Sequence, residues 1–173
     1  LFKFAAKRIA THHGITASFM ARWNEKLPGC SGHIHQSLQD SEGKPLFYQS
    51  NDPANMSPLF KHYLAGLIRY TPEFCALMAP TVNSYKRLVE GFWAPTRSTW
   101  GLDNRTTAFR VIAGSPKSTR VEVRVPGADM NPYLAVAASL AAGLYGIENK
   151  LELSSDPITG NGYTDKKAAP FPR

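Results

Sequence analysis

Two imidazoles stand one residue apart in "SGHIHQSL", residues 31–38. On a strand, residues i and i+2 point to the same side, so His33 and His35 would aim at one point while Ile34 packs behind them. Such a pair is either a plain surface feature or the nitrogen half of a metal site. A carboxylate would complete an imidazole–carboxylate set suited to Mg²⁺ or Mn²⁺ holding a nucleotide's phosphates. "STRVEVRV", residues 118–125, offers one. It alternates strictly, with Arg120, Glu122 and Arg124 on one face and Val121, Val123 and Val125 on the other. That pattern fits a solvated strand face. It also fits a metal-binding Glu122 between two guanidiniums that neutralise an anion. Lys86, Arg87, Arg97, Arg105, Arg110 and Lys117 add cations upstream with few acids between them. Guanidinium forks match phosphate and carboxylate oxygens. The same residues could make a basic surface or a nucleic-acid patch. Against nucleic acid, the cations fall on several short strands, with no binding helix and no RNP-like aromatic motif, although Phe92, Trp93 and Trp100 lie near.

The elements that must position these groups are legible in outline. Residues 2–13 predict an amphipathic helix with Phe2, Ala5, Ala6 and Ile9 on one stripe and Gly14 as its stop. "ITASFMARW" predicts a strand and "NEKLPG" a turn; "SGHIHQSLQD" predicts a second strand, turned by "SEGK" into "PLFYQ". Ser57-Pro58 opens a helix with Leu59, Tyr63, Leu64, Leu67 and Ile68 inward. Thr71-Pro72 repeats the device and predicts a shorter helix through Met78. Short strands are expected over 81–126. Asn131-Pro132 opens the clearest helix, "PYLAVAASLAAGLYGIENK", and the Gly/Pro/Asp-rich tail from Ser154 reads as loop. Hairpins and long helices without βαβ alternation give an α+β class.

The chain has 173 residues, an apolar fraction of 43% and a formal net charge of +7. That length suits one domain or most of one, the composition is globular, and the charge favours an anionic partner. Cys30 and Cys75 have no CxxC spacing, which fits a reducing cytoplasm. No apolar run approaches a bilayer span, and no signal peptide is visible. The first residues start within a pattern and without Met, so a segment of a longer protein is expected.

Taken in order, "SGHIHQSL", "PTVNSYKRLVEGFWAP", "DNRTTAFRV", "GSPKSTRVEVRVPGADMNPYLA" and "AAGLYGIENKL" resemble the catalytic domain of the glutamine synthetase family. The resemblance is to the bacterial-type branch and its γ-glutamyl-amine ligase relatives, and it covers nearly the whole chain. It implies an α+β domain whose curved antiparallel strands form half an open barrel, with helices packed outside. It implies ATP-dependent formation of a γ-glutamyl phosphate, which an amine then displaces. ATP, glutamate and an amine are the implied partners, with Mg²⁺ or Mn²⁺ as cofactor, and neither nucleic acid nor membrane.

Residue by residue, His33 and Glu122 match ligands of the metal that contacts ATP. His35 and Ser37 match positions near the nucleotide. Arg87 matches the arginine that holds the glutamate carboxylate and meets the phosphoryl group, and Arg124 matches another glutamate-binding arginine. Arg105, Arg110, Lys117 and Arg120 match the cluster around the phosphates, with Arg87 and Arg105 as the catalytic pair.

Three departures qualify the resemblance. The family's "PGYEAP" reads "EGFWAP" here, so Trp93 replaces the glutamate that binds ammonium and accepts its proton. An indole does neither. A larger or aromatic amine, or a cation over the ring, fits better, and Glu90 is a candidate for the missing carboxylate. The expectation is a γ-glutamyl-amine ligase; the alternatives are a non-catalytic relative with a plugged pocket, or glutamine synthetase proper. Second, "PGCSGH" keeps Gly29 of the glutamate-binding loop but changes Ser31 and Gly32. Third, against the family pattern the N-terminal β-grasp domain and the start of the catalytic domain are missing. Family active sites also form between neighbouring subunits of a ring-shaped homo-oligomer. The segment alone is therefore expected not to turn over.

Overall fold

The computed structural model describes residues 1–172. Its centre is a four-stranded sheet in the order β1-β4-β3-β2. The strands are β1 (Ile34–Gln36), β2 (Trp100–Leu102), β3 (Phe109–Ile112) and β4 (Arg120–Val123). β4 pairs antiparallel with both β1 and β3, and β2 runs parallel to β3. The α+β class stands, and the sheet is open; it departs from all-antiparallel pairing at the β2 edge. In the 103–108 connection Asp103 takes a positive φ of 50°, and Asn104 accepts from the N–H and hydroxyl of Thr106 through its side-chain oxygen, an Asx turn.

One face of the sheet closes the core. Ile34, Phe109, Val111, Val121, Val123 and Val125 are buried there, against helices α2 (Pro58–Tyr70) and α5 (Pro132–Glu148). Ser57 caps α2 by accepting from the Phe60 N–H, and Asn131 caps α5 at Tyr133 and Leu134, as the Ser-Pro and Asn-Pro pairs predict. The two helices meet backbone to backbone. A Cβ on Gly146 would stand 2.2 Å from the His62 carbonyl, and one on Gly66 would stand 2.1 Å from that of Ala142, so only glycine permits this crossing.

Five expectations change. Thr71 does not start a helix: its hydroxyl donates to the Leu67 carbonyl and ends α2, and the next helix, α3, is the single turn Cys75–Met78. Residues 15–23 form no strand, because no neighbouring strand is available to pair with them. β1 is only three residues long and "PLFYQ" contributes isolated bridges, Gln39 with Pro45 and Tyr48 with Met56. The apolar stripe of α1 (Phe2–His12) is largely outward, with Phe2 and Ile9 exposed. The region of expected short strands also contains a helix, α4 (Val82–Arg87), closed by a Thr81–Ser84 capping box.

Candidate active site

The face of the sheet opposite the core carries the chemistry. Register alone gathers it: Glu122 lies opposite His35 on β1 and opposite Arg110 on β3. Side chains on directly paired residues of one face are neighbours. His33 Nδ1 is 2.8 Å from Glu122 Oε1. The same oxygen accepts from Arg124 at 3.0 Å, and Arg110 donates to Oε2 at 2.9 Å. Arg120 donates to His35 Nδ1 at 3.1 Å and to the Ser118 carbonyl.

Glu122 is buried. Burial pushes its pKa up, but the hydrogen bonds from His33 and Arg110 and the charge of Arg124 outweigh this and hold the carboxyl well below the usual range. His35, half exposed, has its pKa lowered by burial and by the surrounding cations, against the pull of Glu122.

His33 also tests the fit to a divalent ion. Its Nε2 is buried and has no hydrogen-bond partner among the described residues. A carboxylate on Nδ1–H leaves Nε2 presenting a lone pair, the arrangement seen in metal-binding histidines. His33 Nε2 therefore suits such an ion as a donor, with Glu122 orienting the ring through Nδ1. Among the described residues no group of three or more His, Cys, Asp or Glu is placed to hold a metal.

Arg87, at the end of α4, sits beneath this face and is 3% exposed. It donates to the Val125 carbonyl at 2.9 Å and the Arg124 carbonyl at 3.2 Å. Burial, then repulsion from Arg124, lowers its pKa to about 10. Gly29 lies against it: a Cβ there would meet the Ala21 carbonyl at 2.3 Å and the Arg87 Cγ at 3.0 Å. This close approach requires glycine.

The remaining sequence candidates are placed apart. Ser37 and Lys117 are exposed. Glu90 points to Lys166, 3.2 Å away. Trp93 is 59% exposed with φ at 61°, and its carbonyl accepts from Arg124 at 3.3 Å. Trp93 and Arg105 line one cleft of about 400 Å³.

Two positioning residues escaped the sequence reading. Arg22, 7% exposed, donates to the Lys86 and Asn24 carbonyls and lies 4.1 Å from the centre of the Phe92 ring, behind the Trp93 loop. No spacing announces it. Asn104 ties the Arg105 turn to the carbonyls of Ile158 and Gly160. The Asn-x-Thr of an Asx turn was its available signal.

The chain is similar to known proteins. The family described as "Glutamine synthetase, catalytic domain" matches residues 1–170. A protein of Dictyostelium discoideum named type-1 glutamine synthetase 2 is 57% identical over 164 residues, 94% of this chain and 31% of its own length. A Pseudomonas glutamate–isopropylamine ligase is 48% identical over 93% of the chain and 35% of its own. A solved GmaS–ADP complex superposes with a TM-score of 0.86 at 36% identity, covering 99% of this chain and 40% of that one. The chain thus spans about a third of the length of the curated relatives it matches. On these matches, and on a site built by the register of its central sheet, the chain belongs to the glutamine synthetase family as part of the catalytic domain.

Proposed function

We propose that the protein carrying this chain is an ATP-dependent carbon–nitrogen ligase. In this reading it converts glutamate to a γ-glutamyl phosphate and joins the acyl group to an amine larger than ammonia. The observation that carries the reading is the gathering of Arg110, Arg124 and His33 on one buried carboxylate, Glu122, with Arg120 and His35 beside it. That is a fixed, water-poor cationic face of the kind that stabilises charge on a transferring phosphoryl group.

In the reaction, a γ-carboxylate oxygen of glutamate bonds to the γ-phosphorus of ATP and ADP leaves. The amine nitrogen then bonds to the acyl carbon, phosphate leaves with the carbon–oxygen bond electrons, and the nitrogen loses a proton to water or the departing phosphate. Arg105, Arg110 and Arg120 orient and neutralise phosphate oxygens, with Ser37 and Lys117 at the nucleotide side. Arg124, with the Gly29 loop, holds the acid substrate, and Arg87 braces that side from beneath through the Val125 and Arg124 carbonyls. His33 would hold Mg²⁺ or Mn²⁺ through Nε2, with Glu122 orienting its ring through Nδ1, and the ion would supply charge neutralisation at the phosphates. Trp93 cannot take the amine's proton, since the indole has only a donor; it shapes the amine's path. Two unpaired cysteines fit a cytoplasmic protein, and no helix of the described residues is long and apolar enough to cross a membrane.

Relatives named a glutamate–isopropylamine ligase, a γ-glutamylethanolamide synthetase and a γ-glutamylputrescine synthetase support an organic amine. The relative at 57% identity is named a glutamine synthetase, so ammonium is the competing substrate. The test is ADP release together with amide formation by the full-length protein, given ATP, Mg²⁺, glutamate and a panel of amines. Amide formation with an alkylamine at least about tenfold more efficient than with ammonium is expected. Equal efficiency with ammonium would assign glutamine synthetase proper, and absence of ADP release would remove the ligase reading. This chain by itself is expected to show no multiple turnover, because its described residues gather no group of three or more metal-binding side chains.

A further inference from the structure

Arg110, on β3, is held by carboxylates from the strands on either side. Glu122 on β4 accepts from its Nη1 at 2.9 Å. Asp103, just past the end of β2, accepts from its Nε at 2.9 Å and from its Nη2 through the same oxygen, Oδ1. A guanidinium carries five N–H groups. Three are committed here, and each terminal nitrogen keeps one for another acceptor. Burial works against the charge on Arg110, but the hydrogen bonds to Glu122 and Asp103 outweigh it and raise its pKa. Arg105 and Arg120 have no carboxylate partner among the described residues.

Asp103 is delivered from a fixed backbone. Its N–H donates to the Val111 carbonyl at 2.9 Å, one step beyond the pairing of Leu102 with Val111. Its φ of 50° is left-handed, a conformation aspartate tolerates better than most residues. The next residue, Asn104, is anchored to the carbonyls of Ile158 and Gly160. Yet the Asp103 side chain is 76% exposed, and an exposed ion pair adds little to stability. A carboxylate beside a cluster of arginines also weakens their pull on an anion. What Asp103 supplies is direction: with Nε and Nη2 both held, the guanidinium cannot turn at the end of its long side chain.

We propose that Asp103 is a positioning residue for phosphoryl transfer, fixing the Arg110 guanidinium so that its two uncommitted N–H groups are set in place for phosphate oxygens. The inference rests on the ligase reading above, in which Arg110 meets those oxygens, and deepens it. Donors fixed in advance stabilise charge in the transition state without reorganising.

The experiment follows ADP release by the full-length protein at varied Mg·ATP, with saturating glutamate and the amine used best in the panel above. Loss of an anion, taken alone, would raise kcat/KM for ATP, whereas loss of direction lowers it, so the sign separates the two roles. Asp103→Ala is expected to lower kcat/KM for ATP at least about tenfold, with a melting temperature within about 2 °C of the unaltered protein. Asp103→Asn keeps an acceptor oxygen and should stay within about threefold. In an Arg110→Lys background, which has no fork to orient, Asp103→Ala should change kcat/KM for ATP by less than about twofold. A misfolded fraction would instead lower it equally in both backgrounds. An unchanged or raised kcat/KM in Asp103→Ala, an Asp103→Asn variant as impaired as Asp103→Ala, or an equal fall in both backgrounds overturns this inference and leaves the ligase reading standing. Absence of ADP release from the unaltered protein with every amine of the panel overturns both.

Discussion

The face around Glu122 and the loop around Trp93 solve the placement of functional groups in opposite ways. Around Glu122, position follows from β-pairing: His35, Glu122 and Arg110 are register partners on three adjacent strands, and the carboxylate is 4% exposed. Around Trp93 no strand pairing acts. The residue stands in left-handed backbone geometry, mostly in water, and its loop is held by single contacts from Arg124, Lys166 and the Arg22–Phe92 stack. The sheet face is suited to chemistry that must not vary, whereas the loop suits a choice among substrates that can vary without disturbing that chemistry.

The sharpest way to break the contrast is at Glu122. Glu122→Ala would leave Arg110, Arg124 and His33 facing one another without their shared counter-charge. A loss of about 3–5 kcal/mol is expected for removing one member of a buried ion cluster, read as a lower denaturation midpoint, together with loss of activity. A change under about 1 kcal/mol would show that the cluster does not hold the face together. The pH dependence has a definite sign. The folded carboxyl titrates below its unfolded value of about 4.3, so its contribution is fully present above that value and is lost as pH falls further towards the folded pKa. In acid titrations of stability, Glu122→Gln should therefore flatten the slope below about pH 4.3 and leave the neutral limb parallel to that of the unaltered protein.

Arg87→Lys comes next. An ammonium cannot reproduce the fork that reaches the carbonyls of Val125 and Arg124. A cost of about 1.5–3 kcal/mol is expected for losing a charged hydrogen bond in a buried setting, again read from denaturation.

On the loop, Trp93→Glu should alter stability by no more than about 0.5 kcal/mol, as exposed substitutions do, while shifting amine preference towards ammonium. A large stability loss would mean the ring is structural. Smallest of all, Lys166→Met removes an exposed pair with Glu90 and should change stability by less than about 0.5 kcal/mol, which thermal melts of matched samples would check.

The same contrast explains what was legible in the sequence. Strict alternation in 118–125 gave the two faces of β4, because a period of two follows directly from strand geometry. The His33–Ile34–His35 alternation placed β1 for the same reason. The Ser57-Pro58 and Asn131-Pro132 caps gave the starts of α2 and α5. Thr71-Pro72 misled because a threonine hydroxyl can close a helix by bonding back four residues, as well as open one. Residues 15–23 have strand-like composition but find no partner, and pairing is a tertiary fact. Glu90 and Trp93 were singled out from the family pattern, but the commitment of Glu90 to Lys166 depends on a contact 76 residues away in the chain, which no local pattern encodes. Arg22 was hidden in the same way.

The strand order has one more consequence, for how the molecule comes together. Arg110 and Glu122 are 12 residues apart, whereas Arg120 and His35 are 85 apart. Closing the longer loop costs about 1.7 kcal/mol more in chain entropy. The β3–β4 hairpin can therefore form early, and β1 docks onto a ready-made edge late. Until it does, β4 presents unpaired backbone beside Val121 and Val123, a template for pairing with another nascent chain. In this architecture β1 acts as an edge protector for β4, and shortening or weakening it should appear first as aggregation during refolding.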